Sequence, residues 1–443
     1  EAEAVNEYEV QQGGRLARAI ESGTLAVIKA SYFEDCLKRR DKFGHRVQIP
    51  AEAVFEPADA AEQWYEHCFK FLLVVSYSWL TAEHPDPNLF HLPLLVSVMR
   101  AMKAKWDVTP GVILDYSSFY QSPRTPEQDL SFKECLSIVN IPYGHRDVTA
   151  LRLVGTPPEE QRGYDVRGWT KFESDIIDSK PPSLLKEGEL NVLTCAALTA
   201  GHGSAGHFTE CVRRERRPLV CPERFERELA ERKELAERKG VRLFTNGKDQ
   251  PTILTKYSES FRQICRATQK LVFRNMKIGP EGGRILAEVL PHLRHLQVID
   301  LRVSGIGSEG AVALAQALPE VQELTQLLLR SNGIGDEGAA ALVRALPALK
   351  RLQVLQLDDN QIGDGGVVAL AQALPELEEL QELTLWGNQV AGQGAAALAR
   401  VLPGTGLARL ALGRNLLDFD AAGKEGKTAL RRAAMGTRLK LEL

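Results

Sequence analysis

Residues 338–360 read GAAALVRALPALKRLQVLQLDDN, and this stretch decides how the C-terminal third of the chain folds. In its first half, Leu342 and Leu346 stand four positions apart among alanines, which places both side chains on one face of a helix that the following proline ends. In its second half, Leu355 and Leu357 alternate with polar residues, which is the period of a half-buried strand. The stretch therefore predicts one helix and one strand, and neither can bury its apolar face without a neighbour.

The same pattern recurs along the chain with a step of 28 residues. Prolines, aliphatic residues, glycines and asparagines all keep this step, at Pro291, Pro319, Pro347, Pro375 and Pro403; Ile278, Ile306, Ile334, Ile362 and Val390; Gly282, Gly310, Gly338, Gly366 and Gly394; and Asn332, Asn360 and Asn388. Because these classes of position share one register, a stack of repeats is predicted. An asparagine amide offers donors and an acceptor, so we expect each one to hydrogen-bond the backbone where the chain turns out of a strand.

The repeat motif, L-x-x-L-x-L-x-x-N, resembles leucine-rich repeats of the ribonuclease-inhibitor type, which include NOD-like receptors and Ran GTPase-activating proteins. The resemblance covers Thr268 to Asn415, and Met276 stands where the first repeat would carry its asparagine. It implies a horseshoe-shaped solenoid over residues 265–443 with a C-terminal cap, and a protein partner bound on its concave strand face. A GTPase-activating scaffold is a weaker alternative that follows from the repeat type alone.

Four outward-facing positions of the predicted strands form the candidate partner-binding surface, namely Arg302, Arg330, Asp358 and Trp386. An exposed tryptophan beside arginines matches the residue types that contribute most to binding at protein interfaces. The alternative interpretation is a solvated strand face that has no partner.

The middle of the chain alternates predicted strands with predicted helices. The strands are Phe69–Trp79, Gly111–Asp115 and Val148–Val154, and the helices are Asn88–Lys105 and Pro126–Val139. This alternation predicts parallel βαβ units, in which ligands bind beyond the carboxyl ends of the strands.

Polar and aromatic residues stand at those carboxyl ends, at Ser76, Tyr77, Ser78, Trp79 and Asp115. Further along, the chain reads YDVRGWTKFESDII over residues 164–177. Together these segments resemble the TIR (Toll/interleukin-1 receptor) domain, whose motifs match at Ser76, Tyr77, Asp115, Tyr164, Trp169, Glu173 and Ile177. Thr170 replaces the cysteine of the family's motif.

In enzymatic members of that family, the glutamate of this motif cleaves the nicotinamide–ribose bond of NAD. The resemblance therefore implies Glu173 as the catalytic carboxylate and NAD as the substrate. Cleavage of an N-glycosidic bond passes through an oxocarbenium-like state, which a nearby carboxylate stabilises. The indole of Trp79 or Trp169 would stack on the nicotinamide or adenine ring. The alternative is that Glu173 is a solvated or ion-paired helix residue and that Trp169 belongs to the core.

The same region is similar to a domain of algal and dinoflagellate proteins, and this likeness is denser than the one to the TIR domain. Five segments carry it, namely 76–87, 115–121, 143–145, 167–169 and 244–249. This second likeness implies no chemistry.

The amino-acid composition of the chain argues against some classes of function. Lys and Arg total 55 against 58 Asp and Glu, which gives a net charge of −3 and argues against a nucleic-acid binder. The apolar run at residues 71–75 is far shorter than the ~20 residues that span a bilayer. Seven widely spaced cysteines and the absence of a glycosylation sequon favour a reducing, cytoplasmic compartment.

No metal site is predicted. Five potential zinc ligands, Cys195, His202, His207, Cys211 and Cys221, lack the spacing of a standard zinc finger. The start of the chain, residues 1–4, resembles a processing scar or the beginning of a fragment and is left out of the fold prediction.

The predicted organisation has three parts. An N-terminal extension covers residues 1–60, a TIR-like α/β domain covers 61–260 and includes an exposed, charged linker helix at 222–240, and the leucine-rich-repeat domain covers 265–443. The first functional hypothesis is a signalling protein whose repeats bind a protein partner while the TIR-like domain mediates assembly, including self-association. The alternative is an NAD-cleaving enzyme that acts through Glu173.

Overall fold

The computed structural model describes residues 6–181, 183, 185–187, 190–198, 203–211, 216–244 and 249–443. The described residues form two compact units. The first contains those of 1–213 and 222–263, and the second contains those of 214–221 and 264–443.

The helices and strands of the first unit are α1 Arg15–Glu21, β1 Ile28–Lys29, α2 Ala30–Arg39, α3 Pro57–His67, β2 Leu72–Tyr77, α4 His91–Trp106, β3 Gly111–Ile113, α5 Asp115–Ser118, α6 Pro126–Ser137, α7 Asn140–Gly144, β4 Thr149–Leu153, α8 Gly168–Ser179, β5 Val192–Cys195, α9 Ala205–Cys211, α10 Pro222–Arg238 and α11 Asp249–Ala267. Those of the second unit are β6 Lys270–Val272, α12 Gly279–Val289, β7 Val298–Asp300, α13 Gly307–Ala317, β8 Gln326–Leu328, α14 Gly335–Ala345, β9 Val354–Gln356, α15 Asp364–Ala373, β10 Glu382–Thr384, α16 Gly392–Val401, β11 Arg409–Ala411, α17 Ala421–Ala434 and β12 Lys440–Glu442.

The sheet of the first unit has the order β1-β3-β2-β4-β5. Its last four strands are parallel, as predicted, and β1 pairs with β3 in the antiparallel sense. Every residue of β2 is buried, which fits a central strand covered on both faces. If the parallel strands β2, β3, β4 and β5 are numbered 1 to 4 along the chain, their order across the sheet is 2-1-3-4. The direction of winding therefore reverses between β2 and β4, and ligands of doubly wound sheets bind at such a point.

The segments before β2 pack on this sheet. The hydroxyl of Tyr8 accepts a hydrogen bond from Asn140 at 2.6 Å, and Arg146 pairs with Glu9 at 2.5 Å. The strand β1 then extends the sheet itself. These contacts tie the first residues of the described chain to the α/β core.

The charged helix α10 is predicted to be exposed, but the structure buries one of its faces. It buries Phe225, Leu229 and Ala236, and the ring of Phe225 stacks on Tyr257 with centroids 3.8 Å apart. The prediction of an exposed helix is wrong for this face, because the frequent Glu–Arg pairs mask an apolar stripe at helical spacing.

The second unit is a sheet of seven parallel strands in the order β12-β11-β10-β9-β8-β7-β6, and a helix lies between each pair of consecutive strands. The asparagines behave as predicted. The side-chain nitrogen of Asn332 donates to the carbonyls of Leu301 and Leu329 at 2.7 and 2.8 Å, and its oxygen accepts from the backbone nitrogen of Ser304 at 3.1 Å. Asn388 makes the same contacts two repeats later. Asn360 donates to the carbonyls of Leu329 and Asp358 and accepts from the backbone nitrogen of Asn332.

The residues after Asn415, where a cap is predicted, form a helix and a strand. Asp420 accepts from the backbone nitrogen of Gly423 at 2.7 Å and so caps the start of α17. The strand β12 pairs with β11 and continues the sheet, although it carries no repeat motif. Within the described part of the chain, no helix is both long and apolar enough to cross a membrane.

Candidate functional site

Glu173 lies at the carboxyl end of β2. It is carried by α8, and the hydroxyl of Ser76 donates to its Oε2 at 2.5 Å. The Ser76 hydroxyl also lies 2.6 Å from that of Tyr164. Among the described residues Glu173 has no ion-pair partner, and its carboxyl group is bonded to Ser76 rather than fully solvated.

The environment of Glu173 favours its protonated form. Burial raises the pKa of Glu173 to about 8, the hydrogen bond from Ser76 opposes this shift, and the charge of Asp115 adds to it. The side chain nevertheless keeps partial access to solvent. A carboxyl group with a raised pKa that solvent can reach is a candidate functional group.

The carboxylate of Asp115 accepts three hydrogen bonds. The hydroxyl of Tyr77 donates to its Oδ1 at 2.7 Å, and the indole nitrogen of Trp79 donates to its Oδ2 at 3.0 Å. The backbone nitrogen of Tyr116 also donates to Oδ1, at 2.7 Å. Burial raises the pKa of Asp115, while the hydrogen bonds from Tyr77, Tyr116 and Trp79 lower it. The structure thus brings Ser76, Tyr77, Trp79, Asp115 and Glu173 to one edge of the sheet.

The other two predicted ligand-binding residues have different surroundings. Ser78 is fully buried, and its carbonyl accepts from the His91 ring at 3.0 Å. The indole of Trp169 donates to Asp249 at 3.1 Å and packs edge-on against Phe172. For Ser78 and Trp169, contact with a ligand stays a prediction.

Arg167 supports the site and was not predicted to do so. Its guanidinium donates to the carbonyl of Trp79 at 2.6 Å and to Glu160 at 3.2 Å, which holds the end of the Trp79 segment in place. The neighbouring Gly168 has no room for a side chain, because a Cβ there would overlap the ring of Phe244. The only sequence signal for this arrangement was the Arg-Gly-Trp segment of the second likeness.

The cysteine and histidine cluster does not assemble a metal site among the described residues. Cys195 and Cys211 are buried in the first unit, Cys221 belongs to the second unit, and His202 lies outside the residues that the structure describes.

A second candidate site lies on the strand side of the repeats. We call it the strand-side pocket, a pocket of about 380 Å³ lined by Arg302, Arg330, Gln356, Asp358, Glu382, Thr384, Trp386, Arg409, Ala411 and Glu442. All four predicted partner-binding residues line it. Glu442 was missed because β12 has no repeat motif, and Glu382 and Arg409 were missed because they occupy the first position of their strands.

Two of the four predicted residues, Asp358 and Arg302, are already bonded to other residues of the second unit. Asp358 accepts from the backbone nitrogen of Trp386 at 2.8 Å and from the hydroxyl of Thr384 at 2.7 Å. Arg302 is paired with Asp300, with its terminal nitrogen 2.5 Å from the carboxylate.

The other two predicted residues meet at an aromatic ring. The guanidinium carbon of Arg330 lies 5.9 Å from the ring centroid of Trp386, and that of Arg414 lies 4.5 Å from it. Trp386 is half-buried rather than fully exposed, because its indole lies against Gly413.

Comparison with known proteins supports the prediction of leucine-rich repeats. A family model described as "Leucine Rich repeat" matches residues 292–315, 322–343 and 350–371. The chain is similar to the structure of leiomodin-1 actin-binding site 2, at 24% identity over 33% of this chain and 86% of that chain, with a TM-score of 0.29. It is also similar to a leucine-rich-repeat protein of Leptospira interrogans, at 17% identity over 42% of this chain and 62% of that chain, with a TM-score of 0.19. No curated protein matches the chain. The C-terminal region therefore contains leucine-rich repeats.

Proposed function

We propose that this protein is an interaction protein of a cytoplasmic signalling system. Its leucine-rich repeats bind a protein partner at the strand-side pocket, on the concave face of the solenoid, and its TIR-like first unit mediates assembly, including self-association. The observation that carries the proposal is the pocket itself, in which residues of β9 to β12 and residues that follow β7 to β10 combine a tryptophan with arginines.

The test is capture of a partner from native extract by the full chain. We expect the double variant Trp386→Ala with Arg330→Ala to lose a partner that the wild-type chain captures. The matched control is Arg351→Ala, an exposed arginine in the turn before β9, which should retain that partner. Unchanged capture by the double variant would contradict partner binding at this pocket.

A second candidate function is cleavage of NAD by Glu173. It is favoured by the desolvated carboxyl group of Glu173, which is bonded to Ser76 at the carboxyl end of β2 close to Asp115. In this reaction the bond between nicotinamide and ribose breaks, nicotinamide leaves as a neutral molecule with the bonding electrons, and water adds to the ribose with release of a proton. The ionised form of Glu173 stabilises the positive charge that develops on the ribose.

A sensitive fluorescent-NAD assay tests this second function. Because ionised Glu173 is the active form and its pKa is about 8, turnover should increase as the pH rises towards 8 and level off above it. Glu173→Gln should abolish turnover, whereas Glu62→Gln, an exposed glutamate on α3, should leave it unchanged. Equal background signals from wild type and Glu173→Gln would exclude the enzyme function.

A further inference from the structure

We propose that the strand-side pocket recognises an acidic segment of its protein partner, and that one carboxylate of that segment binds Arg330 and Arg414 beside the indole of Trp386. This inference rests on the proposed partner binding and adds the chemistry of the partner.

Three of the four carboxylate oxygens of Asp358 and Asp359, the acidic residues near Trp386, already accept hydrogen bonds. Both carboxylate oxygens of Asp358 accept hydrogen bonds, from Trp386 and Thr384. Asp359 accepts from the Nε of Arg330 at 3.0 Å and lies 3.5 Å from the hydroxyl of Ser331. A ligand that offers donors would therefore compete, at three of these four oxygens, with bonds that the protein makes within itself.

The hydrogen-bond donors near Trp386 are available to a ligand. Arg330 uses only its Nε, and its two terminal nitrogens donate to none of the described residues. The exposed Arg414 makes neither a hydrogen bond nor an ion pair within the described part of the chain, and the indole nitrogen of Trp386 likewise has no acceptor there. A ligand at this place must supply acceptors, and a carboxylate does so with the charge that two guanidinium groups favour.

The indole holds these donors in position. Both guanidinium groups contact the ring of Trp386, and cation–π contact restricts two long side chains that would otherwise sample many rotamers. The ring itself is placed by Gly413, where a Cβ would lie only 2.8 Å from the indole Cδ1. The planar fork of each guanidinium can then bind a carboxylate through two parallel hydrogen bonds.

Arg302 and Arg409, the other arginines that line the pocket, differ from Arg330 and from Arg414, which contacts Trp386 but does not line the pocket. Arg302 is held by the carboxylate of Asp300, and Arg409 lies between Glu382 at 2.9 Å and Glu442 at 3.3 Å. Arg330 is also ion-paired, with Asp359, but through its Nε alone, whereas Arg302 and Arg409 each bind carboxylates through two or more guanidinium nitrogens. Arg302 therefore provides a control, because it lines the pocket, its guanidinium binds both carboxylate oxygens of Asp300, and among the described residues it makes no cation–π contact with Trp386.

The test is selection of short random peptides displayed on phage against the full chain, with Trp386→Ala used to recognise peptides that depend on the pocket. We expect pocket-dependent peptides to share an Asp or Glu whose replacement by Asn or Gln weakens binding about tenfold, the effect of losing a charge-assisted hydrogen bond. The double variant Arg330→Gln with Arg414→Gln should lose this preference for the acid, and Arg302→Gln should keep it. Circular dichroism melts of all variants check that the repeats stay folded.

Two other results separate this inference from the proposal on which it rests. Pocket-dependent peptides that are neutral or basic, or acidic peptides that bind the Arg330 and Arg414 double variant as they bind wild type, would overturn the acidic partner and leave partner binding in place. Failure to obtain any peptide that depends on Trp386 would overturn both.

Discussion

In the repeats, the buried asparagines are neutral, and both polar atoms of each amide meet backbone groups. In the first unit, the carboxyl group of Glu173 meets hydroxyl groups and is desolvated enough to keep its proton near neutral pH. The amides of Asn332 and Asn360 are bonded in a way that recurs with every repeat, whereas the contact between Ser76 and Glu173 joins residues 97 positions apart. The first arrangement stabilises the fold, and the second retains a perturbed titratable group, which is typical of functional sites.

The largest expected effect comes from breaking the asparagine contacts. Asn360→Ala leaves buried backbone groups without partners, since the Asn360 amide bonds the carbonyls of Leu329 and Asp358 and the nitrogen of Asn332. We expect the free energy of unfolding to fall by about 3 kcal/mol, measured by urea denaturation. A loss below about 1 kcal/mol would show that water replaces these contacts.

The second prediction concerns the pH dependence of stability that Glu173 produces. Its pKa is about 8 in the folded chain and near 4.3 when unfolded, so between these values the folded state binds one more proton. The free energy of unfolding should therefore fall with rising pH in this window, relative to Glu173→Gln, which cannot titrate.

Over the whole window we expect a relative loss of roughly 2 kcal/mol, less than full titration would give, because solvent partly reaches Glu173. Urea denaturation of both chains at pH 5, 6.5 and 8 measures it. Parallel curves for the two chains would mean that Glu173 titrates normally in the folded state.

The smallest expected effect tests whether charge matters in the repeats. Asp358→Asn keeps the shape of the side chain, and the hydroxyl of Thr384 can reverse its role and accept from the new amide. We expect the free energy of unfolding to change by less than about 1 kcal/mol. A larger loss, in the same urea measurement, would mean that the carboxylate charge itself holds β9 and β10 together.

The sequence predicted what is local or repeated. The repeat motif predicted the strand and helix of each unit and the role of Asn332, because each depends on neighbours at a fixed spacing. The parallel pairing of β2 with β3 and β4 followed from the alternation of elements. The strand β12 was missed because a three-residue strand is defined by its partner rather than by its own residues.

The candidate site was predictable only in part. The grouping of Ser76 and Glu173 followed from the TIR resemblance, but the desolvation of Glu173 depends on packing that no local pattern encodes. The pairing of Trp169 with Asp249, and the occupation of Asp358 by Trp386, also depend on residues distant in sequence.

Within the part of the chain that the structure describes, β6 and β12 each pair with a single neighbour in the seven-stranded sheet, so each leaves one edge to which a further strand can add. Both strands are only three residues long, and each begins with an exposed lysine, Lys270 or Lys440. Addition of another copy at either edge would bring such lysines together and would gain few backbone hydrogen bonds. Short length and an exposed lysine at each of these two edges disfavour pairing with a further strand.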